Sequence, residues 1–241
     1  MSGVGKVRET TKEQGLKGLT KPGTNELLKD GLRELGLIPR DDQLNAFATF
    51  LSELKRWNKA YNLTGLKRDE DIVIKHFLDS LLYLKAMPPG EIKVADIGSG
   101  AGFPGIPMKI VRPEIEVYLI EPSRKKSAFL RHILRQLHLK KIEVIEKRIE
   151  EIRVGQDLSS PVDIAVSRAL FNIQEFTGKA SHIIKKDGIL LLNKGPKVKE
   201  ELKELKDLRY ELLTIHLPLT QIIRYIIAVS PGDKSCVAKN L

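Results

Sequence analysis

The sequence predicts an α/β fold: a doubly wound, mostly parallel sheet that ends in an antiparallel hairpin and is preceded by a small helical module. Three observations predict it. In the middle of the chain, short β-branched runs alternate with amphipathic helical segments, an order typical of a parallel sheet covered by helices on both faces. Near the C-terminus, two strand-like runs are separated by too few residues for a crossover helix, so they should pair as a hairpin. Upstream of the alternation, apolar side chains recur only at helical spacing.

The N-terminal part divides into two segments. Residues 1–23 are polar, contain glycines and show no apolar periodicity, so we expect a flexible tail. Residues 24–87 are predicted to form the helical module, in which Leu44, Phe47 and Leu51 belong to one apolar stripe. The run MPPG closes this module with turn-forming residues, and the following domain is predicted to span residues 88–241.

The second domain contains the alternation itself. Its strand-like runs are IKVADI, IEVYLI, IEVIE, VDIAVS and GILLLN, and helical segments begin near Pro107, Arg124, Phe171 and Lys197. The two runs of the predicted hairpin are YELLTIHLPL and IIRYIIAVS. Most of these runs are short and rich in branched apolar residues, as strands buried in a sheet are.

The composition limits the class of protein. The formal net charge is +10, and the stretch from Arg124 to Arg148 has nine Lys and Arg against two Glu. Such positive charge attracts a nucleic-acid backbone; a basic surface that only promotes solubility is the alternative. The single cysteine, Cys236, excludes an internal disulfide framework and a cysteine-based zinc cluster. Because no apolar run has membrane-spanning length and no secretory signal is present, we expect a soluble, cytoplasmic protein with no membrane partner.

A glycine-rich turn is the first feature that points to chemistry. Gly100, Gly102 and Gly105 fit the pattern G-x-G-x-x-G directly after a predicted strand and before a predicted helix. Taken alone, the pattern suggests a dinucleotide whose phosphates lie against bare backbone. A purely structural tight turn is the alternative.

Asp96, near the end of the strand before the turn, argues for a ligand other than a dinucleotide. The carboxylate of Asp96 would repel a pyrophosphate, whereas it suits a ligand that carries positive charge. S-adenosylmethionine has a sulfonium and an ammonium group and no phosphate. Together with the terminal hairpin, Asp96 matches the methyltransferase variant of the doubly wound sheet, so residues 88–241 are predicted to bind S-adenosylmethionine. A helix N-cap or an exposed loop acid is the alternative role for Asp96.

Glu121, after the second predicted strand, supports a nucleoside ligand. A carboxylate at this place can accept hydrogen bonds from both ribose hydroxyls. A dinucleotide ribose would use the same residue, so Glu121 indicates a nucleoside without identifying which one.

Several motifs carry a resemblance to a known family. They are RWNKAYNLT (56–64), IKHFLDS (74–80), DIGSGAGFPGIP (96–107), VSRA (166–169) and KG (194–195). Over about residues 25–230 the sequence resembles the bacterial guanine-N7 methyltransferases of small-subunit ribosomal RNA, also called the glucose-inhibited division protein B family. The resemblance implies S-adenosylmethionine as the methyl donor and small-subunit ribosomal RNA, or the ribosomal particle, as the partner. The sequence does not determine the oligomeric state, and we expect a monomer.

The resemblance also implies particular donor contacts. It implies contacts at Gly98 and Phe103 in the turn, and at Ile149 and Glu150 after the third strand, where the adenine ring would lie. Without it, the run RIEEI that contains the second pair would be interpreted as a solvated helix start. The predicted donor-binding residues are Asp96, Gly98, Gly100, Phe103, Glu121, Ile149, Glu150 and Arg168.

Arg168 and Lys194 end the fourth and fifth predicted strands, at the sheet edge where doubly wound folds bind ligands. The family places an arginine that contacts donor or substrate at Arg168, and an ion pair with a local acid such as Asp163 is the alternative. We expect Arg168 and Lys194 to contact the target guanine or its phosphates. For Lys194 the alternatives are an exposed lysine at a strand end and a partner of a helix dipole.

The remaining sequence around the predicted crevice limits which atom of a base could accept the methyl group. Methylation of C5 of a pyrimidine needs a cysteine nucleophile, and Cys236 lies far away in the C-terminal tail. Methylation of an exocyclic amine usually involves an Asn/Asp-Pro-Pro-aromatic loop after the fourth strand, where this chain has SRALFN. Guanine N7 presents a bare lone pair, so in-line transfer to it needs no general base.

Other functions are consistent with parts of the sequence. A methyltransferase with a protein or small-molecule acceptor is one rival, and a nicotinamide-dependent dehydrogenase is a second. A non-catalytic RNA-binding or ribosome-assembly factor is a third. His76 and Asp79, three apart on one helix, are predicted to serve packing and hydrogen bonding between helices.

Overall fold

The computed structural model describes residues 23–168, 170–205 and 208–231. The predicted tail, apart from Gly23, and Cys236 lie outside the described residues. The N-terminal part is helical, as predicted. It contains α1 (Thr24–Glu34), α2 (Asp41–Tyr61) and a continuous helical stretch of α3 (Asp69–Ile72), a π-helical turn (Val73–Leu78), α4 (Asp79–Leu81) and a 3₁₀ turn (Leu82–Ala86).

The remaining part is built on one seven-stranded sheet with the order β3-β2-β1-β4-β5-β7-β6. Its strands are β1 (Lys93–Ile97), β2 (Glu116–Ile120), β3 (Ile142–Ile145), β4 (Val162–Arg168), β5 (Ile184–Lys194), β6 (Tyr210–His216) and β7 (Ile223–Val229). The first five strands pair in parallel, and β7 pairs antiparallel with both β5 and β6. The predicted sheet and hairpin are thereby confirmed. The antiparallel β7 distinguishes this sheet from the ordinary dinucleotide-binding order.

Four α-helices accompany the sheet. They are α5 (Gly105–Val111), α6 (Arg124–Gln136), α7 (Ile173–Ala180) and α8 (Val198–Glu204), with short 3₁₀ turns at Ile149–Glu151 and Ser181–Ile183. Alternate residues of β2 show why its sequence is mainly apolar after Glu116. Val117 and Leu119 pack into one hydrophobic cluster, whereas Tyr118 and Ile120 pack into another on the opposite face. Successive side chains of a strand point to opposite faces, so a sheet covered on both sides needs apolar residues at every position.

The helical module shares its core with one face of the sheet. The ring of Phe50 in α2 lies 5.2 Å from that of Phe103 in the glycine turn and 5.4 Å from that of Phe77 in the π-helical turn. These rings belong to the same hydrophobic cluster as Val94 of β1 and Leu119 of β2. The module therefore covers the sheet in the way that a crossover helix does, although it precedes the first strand.

The carboxyl ends of the parallel strands form the edge at which the predicted site residues lie. In such sheets the crevice beyond these strand ends is where ligands bind. The π-helical turn faces this edge, and π-helical turns inside α-helices are frequently found at functional sites. Among the described residues, no helix combines the length and apolar character that a membrane crossing requires.

Candidate functional site

The glycine turn joins β1 to α5. Gly98 has φ +71, a left-handed conformation that side chains other than glycine rarely adopt. Its N–H donates a hydrogen bond to the carbonyl of Ile120 at 2.8 Å, which holds the start of the turn against the end of β2. At Gly105 a Cβ would lie 2.4 Å from Leu119 Cδ2 and 2.8 Å from Asp96 Oδ2, so the backbone must come close to both. The turn is therefore a backbone surface that needs glycine for conformation at one end and for space at the other.

Asp96 lies beneath this turn and is fully buried. Its Oδ2 accepts a hydrogen bond from the Gly105 N–H at 2.7 Å, and its Oδ1 has no partner among the described residues. Burial raises the pKa of this carboxyl from 3.8 to about 7, against the opposing effects of the Gly105 hydrogen bond and the Arg168 charge. Asp96 is thus not an exposed loop acid; it accepts from the first N–H of α5, although Pro104 occupies the N-cap position. A buried acceptor without a partner suits a ligand that brings a donor or a positive charge to this edge.

Glu121 is also buried, and both its oxygens hold the backbone. Oε2 accepts from the Gly100 N–H at 2.9 Å, and Oε1 accepts from the Ser123 N–H at 2.9 Å. Each carboxylate oxygen has a second lone pair, so these bonds leave acceptors for ribose hydroxyls. The residue predicted to bind ribose therefore also fixes Gly100 in the turn.

A cavity of about 220 Å³ opens beside the turn at the ends of β1 and β2. Its walls include Gly98, Ile120, Ile149, Glu150, Leu170 and Phe171. Glu150 forms an ion pair with Lys179, which lines the same cavity. The predicted contacts Gly98, Ile149 and Glu150 are thereby brought together around one largely apolar space with a charged rim, as a pocket for a nucleoside base requires.

Phe103 and Arg168 lie on the other side of the turn, next to the helical module. The Arg168 guanidinium carbon is 5.3 Å from the centre of the Phe103 ring, and the His76 ring stacks on Phe103 at 4.5 Å. Arg168 donates to the Lys75 carbonyl at 3.2 Å and contacts His76 Nδ1 at 3.1 Å. Phe103 thus forms a platform below Arg168 and does not line the cavity.

The hydrogen bonds of His76 determine its tautomer. Arginine can only donate, so Nδ1 must accept from Arg168 and Nε2 must carry the hydrogen that bonds Thr64 Oγ1 at 2.7 Å. Burial, followed by the Arg168 charge, lowers the pKa of His76 from 6.5 to about 4. At neutral pH His76 is therefore a neutral imidazole with both nitrogens occupied.

Asp79 is the carboxylate that pairs with Arg168, at 3.6 Å. It also accepts from Arg224 of β7 at 2.7 Å and is buried. The alternative partner Asp163 proves wrong, because Asp163 is bonded at the opposite end of β4 to Lys185 and to the Lys93 N–H. The acid that meets Arg168 comes from the helical module rather than from its own strand.

Lys194 is held by protein groups rather than exposed. Its Nζ donates to the Phe171 carbonyl at 2.5 Å and lies 3.3 Å from Glu201 of α8. Arg168 and Asn193 are register partners on β4 and β5, which places Lys194 one residue beyond the partner of Arg168. Both predicted substrate-contacting cations therefore end neighbouring strands at the same edge.

The polar groups between the module and the sheet extend beyond the residues singled out in the sequence. The Tyr83 hydroxyl donates to the Ser167 carbonyl at 2.6 Å and accepts from the Asn193 N–H at 3.1 Å. Asn193 also donates from its side chain to the Asp79 carbonyl at 3.2 Å. Tyr83, Asn193 and Arg224 have no local pattern that marks them, and only the motif IKHFLDS drew attention to this region. The described residues contain no cluster of His, Cys, Asp and Glu that could hold a metal ion.

Comparison with known proteins identifies relatives over most of the chain. A family model described as rRNA small subunit methyltransferase G matches residues 43–221. The Ribosomal RNA small subunit methyltransferase G of Polynucleobacter asymbioticus is 35% identical over 218 residues, covering 88% of this chain and 97% of that protein. The protein of the same description from Geotalea uraniireducens is 38% identical over 211 residues, covering 85% of this chain and 95% of that protein.

Solved structures share the fold at lower identity. A methyltransferase from Pyrococcus furiosus superposes with a TM-score of 0.52 at 14% identity, covering 78% of this chain and 99% of that chain. A SAM dependent methyltransferase from Aquifex aeolicus gives a TM-score of 0.50 at 19% identity, covering 70% of this chain and 97% of that chain. These structures support the fold alone. The family model and the two relatives establish more: this chain belongs to the rRNA small subunit methyltransferase G (GidB) family.

Proposed function

We propose that this chain transfers a methyl group from S-adenosyl-L-methionine to N7 of a guanine in small-subunit ribosomal RNA. Membership of the family supports methyl transfer to small-subunit ribosomal RNA. The position on the base rests on one observation: the side chains around Arg168 that could remove a proton are already engaged. A ribosomal RNA acceptor would place the reaction in the cytoplasm.

The residues of the turn fit the methyl donor. Gly98 and Gly100 would offer bare backbone to it, Glu121 would accept hydrogen bonds from the ribose, and Ile149 would pack on the base. The unpartnered Asp96 Oδ1 is an acceptor near a ligand with two cationic centres, and such a ligand would favour the ionised carboxylate, whose pKa burial otherwise raises to about 7. When bound, the donor supplies a methyl group on a sulfonium that is already a good leaving group.

Apart from Asp96, which lies buried beneath the turn and is assigned above to the donor, the described side chains around the crevice offer no free general base. The imidazole of His76 accepts from Arg168 and donates to Thr64. The carboxylate of Asp79 meets two arginines, and that of Glu121 is bonded to two backbone N–H groups. An acceptor atom that must lose a proton would have no base to take it, whereas N7 of guanine attacks with a lone pair that it already has. The chain's contribution is then to orient the base and to exclude water.

Arg168 is the residue we assign to guanine. Its two hydrogen bonds to the module use only part of its five N–H donors, and its side chain is 18% exposed at the edge of the crevice. Guanine O6 and N7 are acceptors on one edge of the base, and a donor to O6 would position that edge while leaving the N7 lone pair free. Lys194, on the neighbouring strand, would contact a phosphate of the same nucleotide or its neighbour.

The proposal is tested by transfer of labelled methyl groups. Small-subunit ribosomal RNA, free and assembled into the particle, is incubated with the protein and labelled S-adenosylmethionine, with large-subunit RNA as the control acceptor. We expect label in one nucleoside of small-subunit RNA, identified by mass spectrometry as N7-methylguanosine. Label on another atom, or on ribosomal protein, would contradict the proposed acceptor. Calorimetry with S-adenosylmethionine and NADH tests the ligand separately.

A further inference from the structure

A polar depression, separate from the largely apolar cavity described above, lies next to the crevice at the C-terminal end of α2. We name it the α2 groove. It has a volume of about 670 Å³, and its lining includes Lys55, Asn58, Lys59, Asn62, Thr64 and Lys67. Apart from Thr64, which bonds His76, no residue of this lining enters the mechanism proposed above, although the motif RWNKAYNLT covers most of it.

The charge of the α2 groove is positive and only partly compensated. Three lysines line it, and no Asp or Glu does. Lys55 pairs with Asp69 at 2.6 Å, but Lys59 and Lys67 are both exposed and form no ion pair with any described residue. Two uncompensated ammonium groups beside neutral amides favour an anionic partner that also offers hydrogen bonds.

The floor of the groove is held rigidly. The Asn58 side chain donates to the Thr64 carbonyl and accepts from the Thr64 N–H, each at 2.9 Å. Asn62 ends α2 in a left-handed conformation with φ 50, and Thr64 Oγ1 accepts from the Leu66 N–H at 3.1 Å. The lysines are therefore presented from a fixed frame, which reduces the ordering needed when a ligand binds.

The groove is connected to the crevice by direct contacts. Thr64 lines the groove and bonds His76 at 2.7 Å, and His76 in turn contacts Arg168 at 3.1 Å. At the last position of α2, Tyr61 is 45% exposed and its ring lies 5.3 Å from that of Trp57. An exposed aromatic ring thus lies at the end of the helix that carries Lys59, and exposed rings together with cations bind unpaired nucleotides by stacking and charge.

We propose that the α2 groove binds an unpaired segment of the acceptor RNA next to the target guanine, with phosphates at Lys59 and Lys67. This proposal rests on the function proposed above. N7 faces the major groove, which in an RNA helix is deep and too narrow for side chains to reach. The target guanine must therefore be unstacked, and the chain next to it must be single-stranded where it meets the protein. An open groove with spaced cations, contiguous with the crevice, fits such a strand.

The experiment compares two double variants that each remove two positive charges. Lys59→Ala with Lys67→Ala removes the free lysines of the groove. Lys85→Ala with Lys186→Ala is the matched control, because both residues are exposed, form no ion pair among the described residues, and lie outside the basic stretch from Arg124 to Arg148. Lys85 lies in the 3₁₀ turn before β1, and Lys186 lies near the amino end of β5. The dissociation constants for free small-subunit ribosomal RNA and for the small ribosomal subunit are measured over a range of salt concentrations, and donor binding is measured by calorimetry.

We expect the groove variant to lose about tenfold in RNA affinity at low salt, with donor affinity unchanged. Its slope of log affinity against log salt should be shallower by about 1.4, since each phosphate contact on a single strand contributes about 0.7. The control variant should keep the wild-type slope to within about half of that difference. Methyl transfer by the groove variant should recover at saturating RNA.

Two results would overturn the proposal. Equal losses in both variants would mean that only net charge matters. A loss of affinity for the ribosomal particle without a loss for free RNA would assign the groove to a ribosomal protein. Failure of the wild-type protein to methylate any small-subunit RNA would refute the proposed function instead, while the binding comparison would still decide the role of the groove.

Discussion

Backbone atoms form one side of the crevice, and side chains form the other. On the side proposed to bind the donor, one continuous turn presents its backbone, and its N–H groups donate to the carboxylates of Asp96 and Glu121. On the other side, side chains distant in sequence meet: Arg168 and His76 are 92 positions apart, and Arg224 and Asp79 are 145 apart. A backbone surface depends on conformation, whereas a side-chain cluster depends on each residue in it. Substitutions should therefore act differently on the two sides.

The largest effect is expected from Arg168→Ala. Loss of the guanidinium should reduce the rate of single-turnover methyl transfer by about a hundredfold, because positioning groups of this kind contribute on the order of 10². Donor affinity, measured by calorimetry, should remain within about twofold of wild type if the two sides are separate. Arg168→Lys keeps the charge without the planar fork and should recover little. An unchanged rate in the alanine variant would remove Arg168 from the site.

Asp79→Asn should mainly affect stability. The substitution leaves two partly buried arginines without their carboxylate, with side chains 18% and 24% exposed. Breaking a buried pair by removing one partner costs about 3 kcal/mol or more, and the partial exposure places the expected loss near 2–3 kcal/mol. Denaturant unfolding measures it. Glu26→Ala, which breaks an exposed pair with Lys29, is the control and should leave the unfolding transition nearly unchanged.

Asp96 should make stability depend on pH. Its folded pKa of about 7 lies above the ordinary 3.8. The fold therefore favours the protonated form, and this contribution is fully present below pH 3.8 and lost as the pH rises through about 7. Asp96→Asn should gain stability relative to wild type as the pH rises from 3.8 to about 7, with a limiting slope of about 1.4 kcal/mol per pH unit. A difference that stays constant with pH would contradict the assignment.

Gly98→Ala should have the smallest effect on stability, near 1 kcal/mol, with a donor affinity lower by about tenfold. The added Cβ would lie 2.3 Å from Leu170 Cδ2, and because Leu170 is 54% exposed its side chain can move at the cavity wall. Gly90→Ala is a matched control: it has φ +91 but no atom within 4 Å of the new Cβ. It should lose similar stability and no donor affinity. Equal donor affinity in the two variants would separate Gly98 from the donor site.

The contrast between a turn made of neighbouring residues and a cluster of side chains distant in sequence explains what could be predicted from the sequence. The turn was predictable because its glycines, its flanking strand and helix, and Asp96 are neighbours in sequence. The hairpin followed from the short connection between its two runs. The partner of Arg168 did not follow, because Asp79 meets Arg168 and Arg224 only after the helical module folds over the sheet. Helical spacing likewise predicts a helix over residues 73–78 but does not distinguish a π-helical turn from an α-helical one.

The aromatic packing between α2, the π-helical turn and the glycine turn has a consequence for how such enzymes can change over time. Phe50 contacts both Phe77 and Phe103, so rings from three segments must interlock for the turn to keep its position. A chimera that joined the helices of one relative to the strands of another would have to preserve this fit, or the turn would shift even though every strand was intact. Recombination at the junction before β1 is therefore a poor route to new RNA targets, and new specificity should arise by substitutions on the outer surface of the helices.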